Sequence, residues 1–190
     1  MKGMPKPYRD IVCIKTCRRE DRTYNGIIIP TVDENAPRKG VVVSVGEGSV
    51  ERPMEVRPGQ VVWYGRYSGA DGIEVEIDCD EYIMIPEDYI YAVKNPESDI
   101  PVPLRDMVVI QPEEHVNEVT KGGIIIQGKE NLTRYGKVMA VGKGGLTKPM
   151  QVKVGDVAVY TKFRTANGVE VFAGKNKYVI CREKEIYAVL

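Results

Sequence analysis

Short runs of apolar, β-branched residues, separated by glycine and proline, recur along the chain and predict strands. No stretch of ten residues has a convincing helical period, although residues 86–89 and 182–185 each favour a single turn with an acidic start. The pattern therefore predicts an all-β protein made of small, partly open barrels or sandwiches. In the first half of the chain the predicted strands are Ile11–Ile14, Gly40–Val45, Gln60–Tyr64, Ile73–Ile77, Tyr82–Ile85 and Ile90–Val93.

The same pattern occurs twice, at a spacing of 96 residues. Self-similarity at a fixed spacing indicates repeated structural units. We expect a first domain at residues 1–94, a proline-containing linker at 95–102 and a second domain at 103–190, with the short linker holding the two side by side. The aligned segments are 7–14 with 103–110, 40–48 with 136–144, 53–60 with 149–156, 72–75 with 168–171, 82–85 with 178–181, and 90–93 with 186–189.

Two isoleucine triplets are unusual because polar and charged residues surround them. Ile27-Ile28-Ile29 follows Gly26, and Ile124-Ile125-Ile126 follows Gly122-Gly123. These triplets depart from the common spacing, since they lie 97 residues apart. A strand inside a sheet cannot slip by one residue without turning its side chains to the other face. Register therefore favours a loop kept for a partner, and a short buried β-strand is the alternative.

Composition and charge exclude several classes of protein. Apolar residues make up 43% and charged residues 28% of the chain, which is typical of globular proteins. Residues 1–96 carry 13 basic and 16 acidic side chains, and residues 97–190 carry 14 and 11. Imbalances this small indicate no nucleic-acid partner and no anionic membrane partner.

The cysteines and the single histidine predict neither a metal site nor a catalytic site. The four cysteines form no Cys-x-x-Cys pair, and His115 lies in a polar segment, so we expect free thiols and no cofactor. The N-terminus has no apolar signal core, and no apolar run approaches the roughly 20 residues of a membrane span. The expected location is the cytoplasm, or the plastid stroma if a transit peptide has been removed.

Several motifs in a fixed order carry a family resemblance. They are Pro-Leu-x-Asp at 103–106, Gly-Gly-Ile-Ile-Ile at 122–126, Gly-x-Val-x-Ala-Val-Gly-x-Gly at 136–144, Val-x-Val-Gly-Asp-x-Ala-Val-Tyr at 152–160 and Ile-x-Ala-Val at 186–189. This order resembles the chaperonin-10 (GroES-type) co-chaperonin family. The first half matches more loosely, with Tyr8, Asn25 and Gln60 departing from the pattern. The tandem form is similar to the double co-chaperonins of plastids or to a phage-encoded co-chaperonin.

The resemblance implies two tandem GroES-like small partly open β-barrels, each with a long mobile loop and a short roof hairpin. It implies a ring that caps a chaperonin-60 cylinder in an ATP-dependent cycle and assists protein folding, with the ATP bound to the chaperonin. The alternative is a phage or structural ring or adaptor protein on the same barrel without a chaperonin partner. The implied chaperonin-binding residues are Gly26, Ile27, Ile28, Ile29, Gly122, Gly123, Ile124, Ile125 and Ile126.

An enzyme built on this barrel is the third class. Alcohol dehydrogenases contain a GroES-like domain, but their nucleotide domain and zinc ligands are missing from this sequence, so we expect no enzymatic activity. Two features depart from the family. The basic residues Arg9 and Arg105 precede the aspartate of the first strand, where the family has a basic residue after it. The roof segments Ser49–Glu55 and Gly145–Gln151 are short.

Ring closure by two-domain chains raises a question of symmetry, because such chains supply an even number of domains to a sevenfold chaperonin. We expect a closed ring of about four chains, with three as the rival. The terminal strands of neighbouring domains are expected to pair, which inside one chain predicts pairing of Ile90–Val93 with Met107–Ile110.

Overall fold

The computed structural model describes residues 4–17, 22–24, 27–29, 38–65, 72–113, 133–145, 149–161, 168–174 and 176–190. Within these ranges the regular structure consists of strands and two short 3-10 turns, Glu87–Tyr89 and Glu183–Glu185. The strands are β1 (Ile11–Thr16), β2 (Arg22–Tyr24), β3 (Ile27–Ile29), β4 (Arg38–Val45), β5 (Val61–Tyr64), β6 (Ile73–Ile77), β7 (Asp80–Pro86), β8 (Ile90–Val93), β9 (Val102–Pro103), β10 (Met107–Pro112), β11 (Thr133–Val141), β12 (Val157–Thr161), β13 (Gly168–Ala173), β14 (Asn176–Arg182) and β15 (Ile186–Val189).

The predicted all-β class is confirmed. Each strand predicted for the first half is present, with ends that differ by at most two residues, and both predicted single turns are the observed 3-10 turns. The sequence pattern missed β2, β3 and β9, which are only two or three residues long. The predicted domain limits and linker stay predictions, and β9 crosses the predicted boundary between the linker and the second domain.

Two antiparallel sheets repeat one topology. The first has the order β6-β7-β1-β4-β5-β8-β9, and the second has β13-β14-β10-β11-β12-β15. Irregularities of register recur at equivalent places, between Cys13 and Ile14 in β1 and between Val109 and Ile110 in β10. Bulges increase local twist and bend a strand, so their repetition indicates that both sheets curl in the same way.

The predicted pairing of Ile90–Val93 with Met107–Ile110 is wrong. β8 pairs with β9 instead, with Ala92 opposite Pro103 and Val93 opposite Val102. The reason is that β10 already has β11 on one edge and β14 on the other, so neither edge of β10 is free. A turn closed by the Met107 amide and the Leu104 carbonyl, 2.9 Å apart, separates the two segments and leaves β9 beside β8.

Each curled sheet surrounds an apolar core. In the first, side chains from β1, β4, β5, β7 and β8 share one buried cluster, which includes the fully buried Tyr64. In the second, the equivalent strands bury a matching cluster that includes Tyr160. Burial raises the pKa of Tyr160 to about 12, because the phenolate would lose its hydration there.

All four cysteines are free thiols, which confirms the prediction. Cys13 and Cys181 are buried, whereas Cys17 and Cys79 are exposed. Burial raises the pKa of Cys181 to about 12. Burial also raises the pKa of Cys13, whereas a hydrogen bond with the Ser44 hydroxyl lowers it by a smaller amount. Within the described part of the chain, no helix has the length and apolar character needed to cross a bilayer.

Candidate functional site

The first isoleucine triplet lies on a hairpin separate from the large sheets. β3, which is the triplet Ile27–Ile29, pairs antiparallel with β2 and forms a two-stranded sheet of its own. Tyr24 is opposite Ile27 in this ladder, so Asn25 and Gly26 connect the strands. The first triplet is thus a short strand, which agrees with the strand alternative. It lies outside the framework sheet, which agrees with the loop interpretation.

The segment that carries this hairpin begins and ends at one point on the first sheet. β1 and β4 pair as far as Thr16 opposite Gly40. The Cys17 amide then donates to the Lys39 carbonyl over 3.0 Å, just before the chain leaves the sheet. The second half repeats this clamp, since the Glu113 amide donates to the Tyr135 carbonyl over 3.0 Å.

A glycine at the base of each segment allows this clamp to form. A Cβ on Gly40 would collide with the Ile14 side chain and the Lys15 carbonyl oxygen. A Cβ on Gly136 would collide in the same way with Ile110 and with the Gln111 carbonyl oxygen. Each glycine therefore lets the two strands approach closely where the isoleucine-bearing segment starts.

The remaining predicted site residues lie outside the described residues. These are Gly26, Gly122, Gly123, Ile124, Ile125 and Ile126, so the roles expected of them stay predictions. His115 and Tyr67 also lie outside the described ranges. In the described part of the chain, no group of three or more His, Cys, Asp or Glu side chains is arranged to hold a metal ion.

A second candidate surface is visible where the two halves of the chain meet, here called the inner junction. Leu104 from the second half packs into the core of the first. In return, Trp63 and Ala92 from the first half are buried against the outer face of β10, β13 and β14. Pairing of β8 with β9 adds backbone hydrogen bonds to these apolar contacts.

Charged groups also cross the inner junction. Glu87 is fully buried, and its Oε1 accepts from the amides of Glu55 at 2.7 Å and Val56 at 2.9 Å. Its Oε2 accepts from the Arg105 guanidinium, whose other nitrogen, Nη1, is 2.9 Å from Asp88 Oδ1. A fully buried carboxylate is stable only when it is paired and hydrogen-bonded, so Arg105 completes the site of Glu87.

Arg182 and Tyr91 add to this contact. Arg182 binds Asp106 at 3.0 and 3.2 Å and also donates to the Asp88 carbonyl at 3.4 Å. Burial raises the pKa of Tyr91, while the charge of Arg182 acts in the opposite direction. The two halves therefore share apolar, backbone and ionic contacts.

Comparison with known proteins gives the family. The sequence matches the family described as Chaperonin 10 Kd subunit at residues 4–94 and again at residues 101–190. The chain belongs to the chaperonin-10 family. Its two halves are tandem copies of that family's β domain, which agrees with the two repeated antiparallel sheets.

Relatives of two sizes match this chaperonin-10 protein. The 20 kDa chloroplastic chaperonins of Spinacia oleracea and Arabidopsis thaliana are each 30% identical to it, over 97% of this chain and 74% and 75% of their own lengths. The co-chaperonin GroES of Thermus thermophilus is 36% identical over 98 residues, which are 49% of this chain and 94% of the relative. The two plant relatives thus span both copies, and the Thermus thermophilus relative spans the length of one.

Sequence reasoning missed two structural features of this chaperonin-10 chain. The Asn25-Gly26 dipeptide between short extended runs is a strong hairpin signal, and it would have predicted β2 and β3. No comparable signal marks Glu87 as the partner of Arg105, because side chains of opposite charge are common along the chain and only the folded structure selects this pair.

Proposed function

We propose that the chain is a co-chaperonin that caps a chaperonin-60 cylinder and assists protein folding. The observation that carries the proposal is the tandem chaperonin-10 match, together with an isoleucine triplet on a hairpin apart from the framework sheet. In this proposal the triplets Ile27–Ile29 and Ile124–Ile126 bind apolar surface on the chaperonin. Gly26, Gly122 and Gly123 allow the turns that present them.

The energy of one loop favours weak, reversible binding. Burying three isoleucine side chains gains about 5–8 kcal/mol. Ordering some 15 loop residues on binding costs on the order of 1 kcal/mol each, less what structure the free loop keeps, so most of the gain is offset. Several loops held by one ring raise the overall affinity through effective concentration. Weak single contacts suit a cap that must also leave when ATP bound to the chaperonin is hydrolysed.

The proposed ring forms by repetition of the inner junction between chains. The exposed fraction of the residue is 82% at Tyr8 but 4% at its repeat equivalent Leu104, which the first half covers. It is 63% at Ile73 but 7% at the equivalent Val169. Apolar positions that are buried at the inner junction are thus exposed at their equivalents in the other half, as expected if a second copy covers them.

The free edge of β15 also supports pairing between copies. Within the described residues, β15 has β12 on one edge and no strand on the other, whereas its equivalent β8 pairs on both edges. Val189 is 48% exposed, but the equivalent Val93 is 7% exposed. Lys6 and Pro7 are the repeat equivalents of β9, so in the proposed ring they pair with β15 of a neighbouring copy. This contact between two copies is here called the outer junction.

Stoichiometry and domain limits complete the proposal. The domains comprise residues 1–94 and 103–190, joined by a linker at 95–102, and about four chains close the ring, with three as the rival. Binding rather than catalysis is the proposed activity. The cytoplasm or the plastid stroma is the proposed location, and the names of the two plant relatives favour the stroma.

The test is assisted refolding of a stringent substrate with a chaperonin-60, ATP and this protein. Replacing Ile124, Ile125 and Ile126 with alanine should reduce chaperonin capture and refolding yield while circular dichroism and the unfolding midpoint stay unchanged. Alanine replacement of Ile27, Ile28 and Ile29 tests the first loop in the same way. A triple variant that unfolds would contradict the loop role. Ring formation without ATP-dependent capture would favour the structural or adaptor alternative.

A further inference from the structure

The inner junction contains a charge arrangement that the repeat-equivalent residues reproduce only in part. Arg105 places its guanidinium between the carboxylates of Glu87 and Asp88. The side chain of Arg105 is 13% exposed, so this contact is largely shielded from water. Shielding strengthens a charge pair and also raises the penalty for leaving either partner alone.

The basic side of this arrangement is repeated at Arg9. The backbone dihedral φ is 54° at Arg9 and 51° at Arg105, an uncommon value for residues other than glycine. The amides of Gly48 and Gly144 donate to the carbonyls of Arg9 and Arg105 at 2.9 and 2.8 Å, respectively. The same local structure therefore presents both arginines, but Arg9 is exposed.

The acidic side is repeated at Glu183. Glu183 Oε1 accepts from the amides of Gln151 at 2.5 Å and Val152 at 2.9 Å, as Glu87 Oε1 accepts from their equivalents. The second 3-10 turn begins with Glu183 just as the first begins with Glu87. Glu183 is only half-buried, and no cation pairs with it among the described residues.

The surroundings of the two carboxylates differ in charge. Lys184 occupies the position of Asp88, so a positive charge stands where the inner junction has a negative one. Pro86 occupies the position of Arg182, so the donor that reaches the Asp88 carbonyl has no counterpart. Both changes remove a favourable contact, and Lys184 also adds a repulsive one to an incoming arginine.

We propose that Arg9 of one copy binds Glu183 of the next copy, and that Lys184 weakens this outer junction. The inference rests on the proposed ring and names the residues that set its strength. Inner junctions then have two carboxylates on Arg105, of which Asp88 also binds Arg52, and outer junctions have one carboxylate opposed by a lysine. The ring therefore opens and closes at its outer junctions, while each chain keeps its inner junction intact.

Sedimentation over a series of concentrations, with native mass spectrometry, tests the proposal on the full chain. Arg9→Gln and Glu183→Gln should each raise the dissociation constant between chains by at least about tenfold. Glutamine at 183 keeps an oxygen for the two amides, so local folding is preserved. The double variant should have a dissociation constant little higher than that of either single variant, because both substitutions remove the same contact.

Lys184→Asp should strengthen the contact between copies, since it recreates the pair of carboxylates found around Arg105. It should lower the dissociation constant by about three- to tenfold. Lys177→Asp is the matched control, because it makes the same change of charge at an exposed pair with Glu170. Its equivalent in the first half, Glu81, accepts from the Thr16 hydroxyl and makes no hydrogen bond or ion pair with the second half among the described residues.

The possible outcomes distinguish the Arg9–Glu183 contact from ring formation itself. Additive losses in the double variant, or equal effects of Lys184→Asp and Lys177→Asp, would overturn the Arg9–Glu183 contact while leaving the ring in place. A wild-type chain that stays a monomer at every concentration would overturn both. Circular dichroism of each variant shows that the change lies in assembly and not in folding.

Discussion

Removing the guanidinium of Arg105 should destabilise the chain strongly, whereas the same change at Arg9 should not. In the Arg105→Ala variant, Glu87 remains fully buried without its cation. Breaking a buried pair in this way costs about 3–5 kcal/mol. The lower end applies here, because Glu87 Oε1 keeps the amides of Glu55 at 2.7 Å and Val56 at 2.9 Å. We therefore expect a loss of about 3 kcal/mol in the free energy of unfolding.

Urea unfolding followed by circular dichroism measures this loss. With a denaturant slope of about 2 kcal/mol/M, the midpoint should fall by about 1.5 M. The matched control is Arg9→Ala, which removes the same side chain from the same local backbone at an exposed position. At concentrations where the chain is monomeric, this control should change stability by no more than about 0.5 kcal/mol.

A double-mutant cycle isolates the ion pair from lost packing. In a Glu87→Gln background, Arg105→Ala should cost clearly less than it does in the wild type, because no buried charge is then left unpaired. Equal shifts for Arg105→Ala and Arg9→Ala at low concentration would refute the assignment of the pair. The effect of Arg9→Ala should instead increase with protein concentration, since binding between copies stabilises the folded chain by mass action.

Three further predictions concern buried groups and a close approach. Alkylation of the native chain should label the exposed Cys17 and Cys79 well before Cys181, whose pKa burial raises to about 12, as mass spectrometry can measure; early label on Cys181 would contradict its packing. That raised pKa keeps the folded thiol protonated, so stability is lost as the pH rises from 9.0 towards 12. Cys181→Val should reduce the fall of the urea midpoint between about pH 9 and pH 10. An unchanged dependence of the midpoint on pH would show that the Cys181 thiol is not responsible. Gly40→Ala should cost about 1–3 kcal/mol by calorimetry because its Cβ would meet β1, while Gly145→Ala, with nothing within 4 Å, should be tolerated; similar costs would refute the close approach.

The framework could be predicted from sequence because its signals are local and occur twice. β-branched runs bounded by glycine and proline predicted the strands, and the spacing of 96 residues predicted two copies of one sheet. The short β9 was missed, because a two-residue strand that ends in proline has almost no propensity to distinguish it. Its pairing with β8 is decided by which strand edges are free, a property of the whole sheet.

The candidate site was predicted in part. The slipped register correctly set the first triplet apart from the framework sheet, but it gave no indication of the β2–β3 pairing. The contact between Glu87 and Arg105 could not be predicted, because its strength comes from complete burial and from the two amides on the other oxygen. Burial of that kind depends on how two sheets pack, and no local pattern of residues encodes it.

The clamps at Cys17–Lys39 and Glu113–Tyr135 have a consequence for evolution. Because the framework closes each of these segments at its base, the closure entropy of a longer segment rises slowly, and a doubling costs about 0.6 kcal/mol. Insertions, deletions and substitutions between the clamps are thus nearly neutral for folding, as the one-residue slip between the two copies illustrates. Selection can therefore change the two segments between the clamps independently of each other, and a single gene can diversify them while keeping its scaffold.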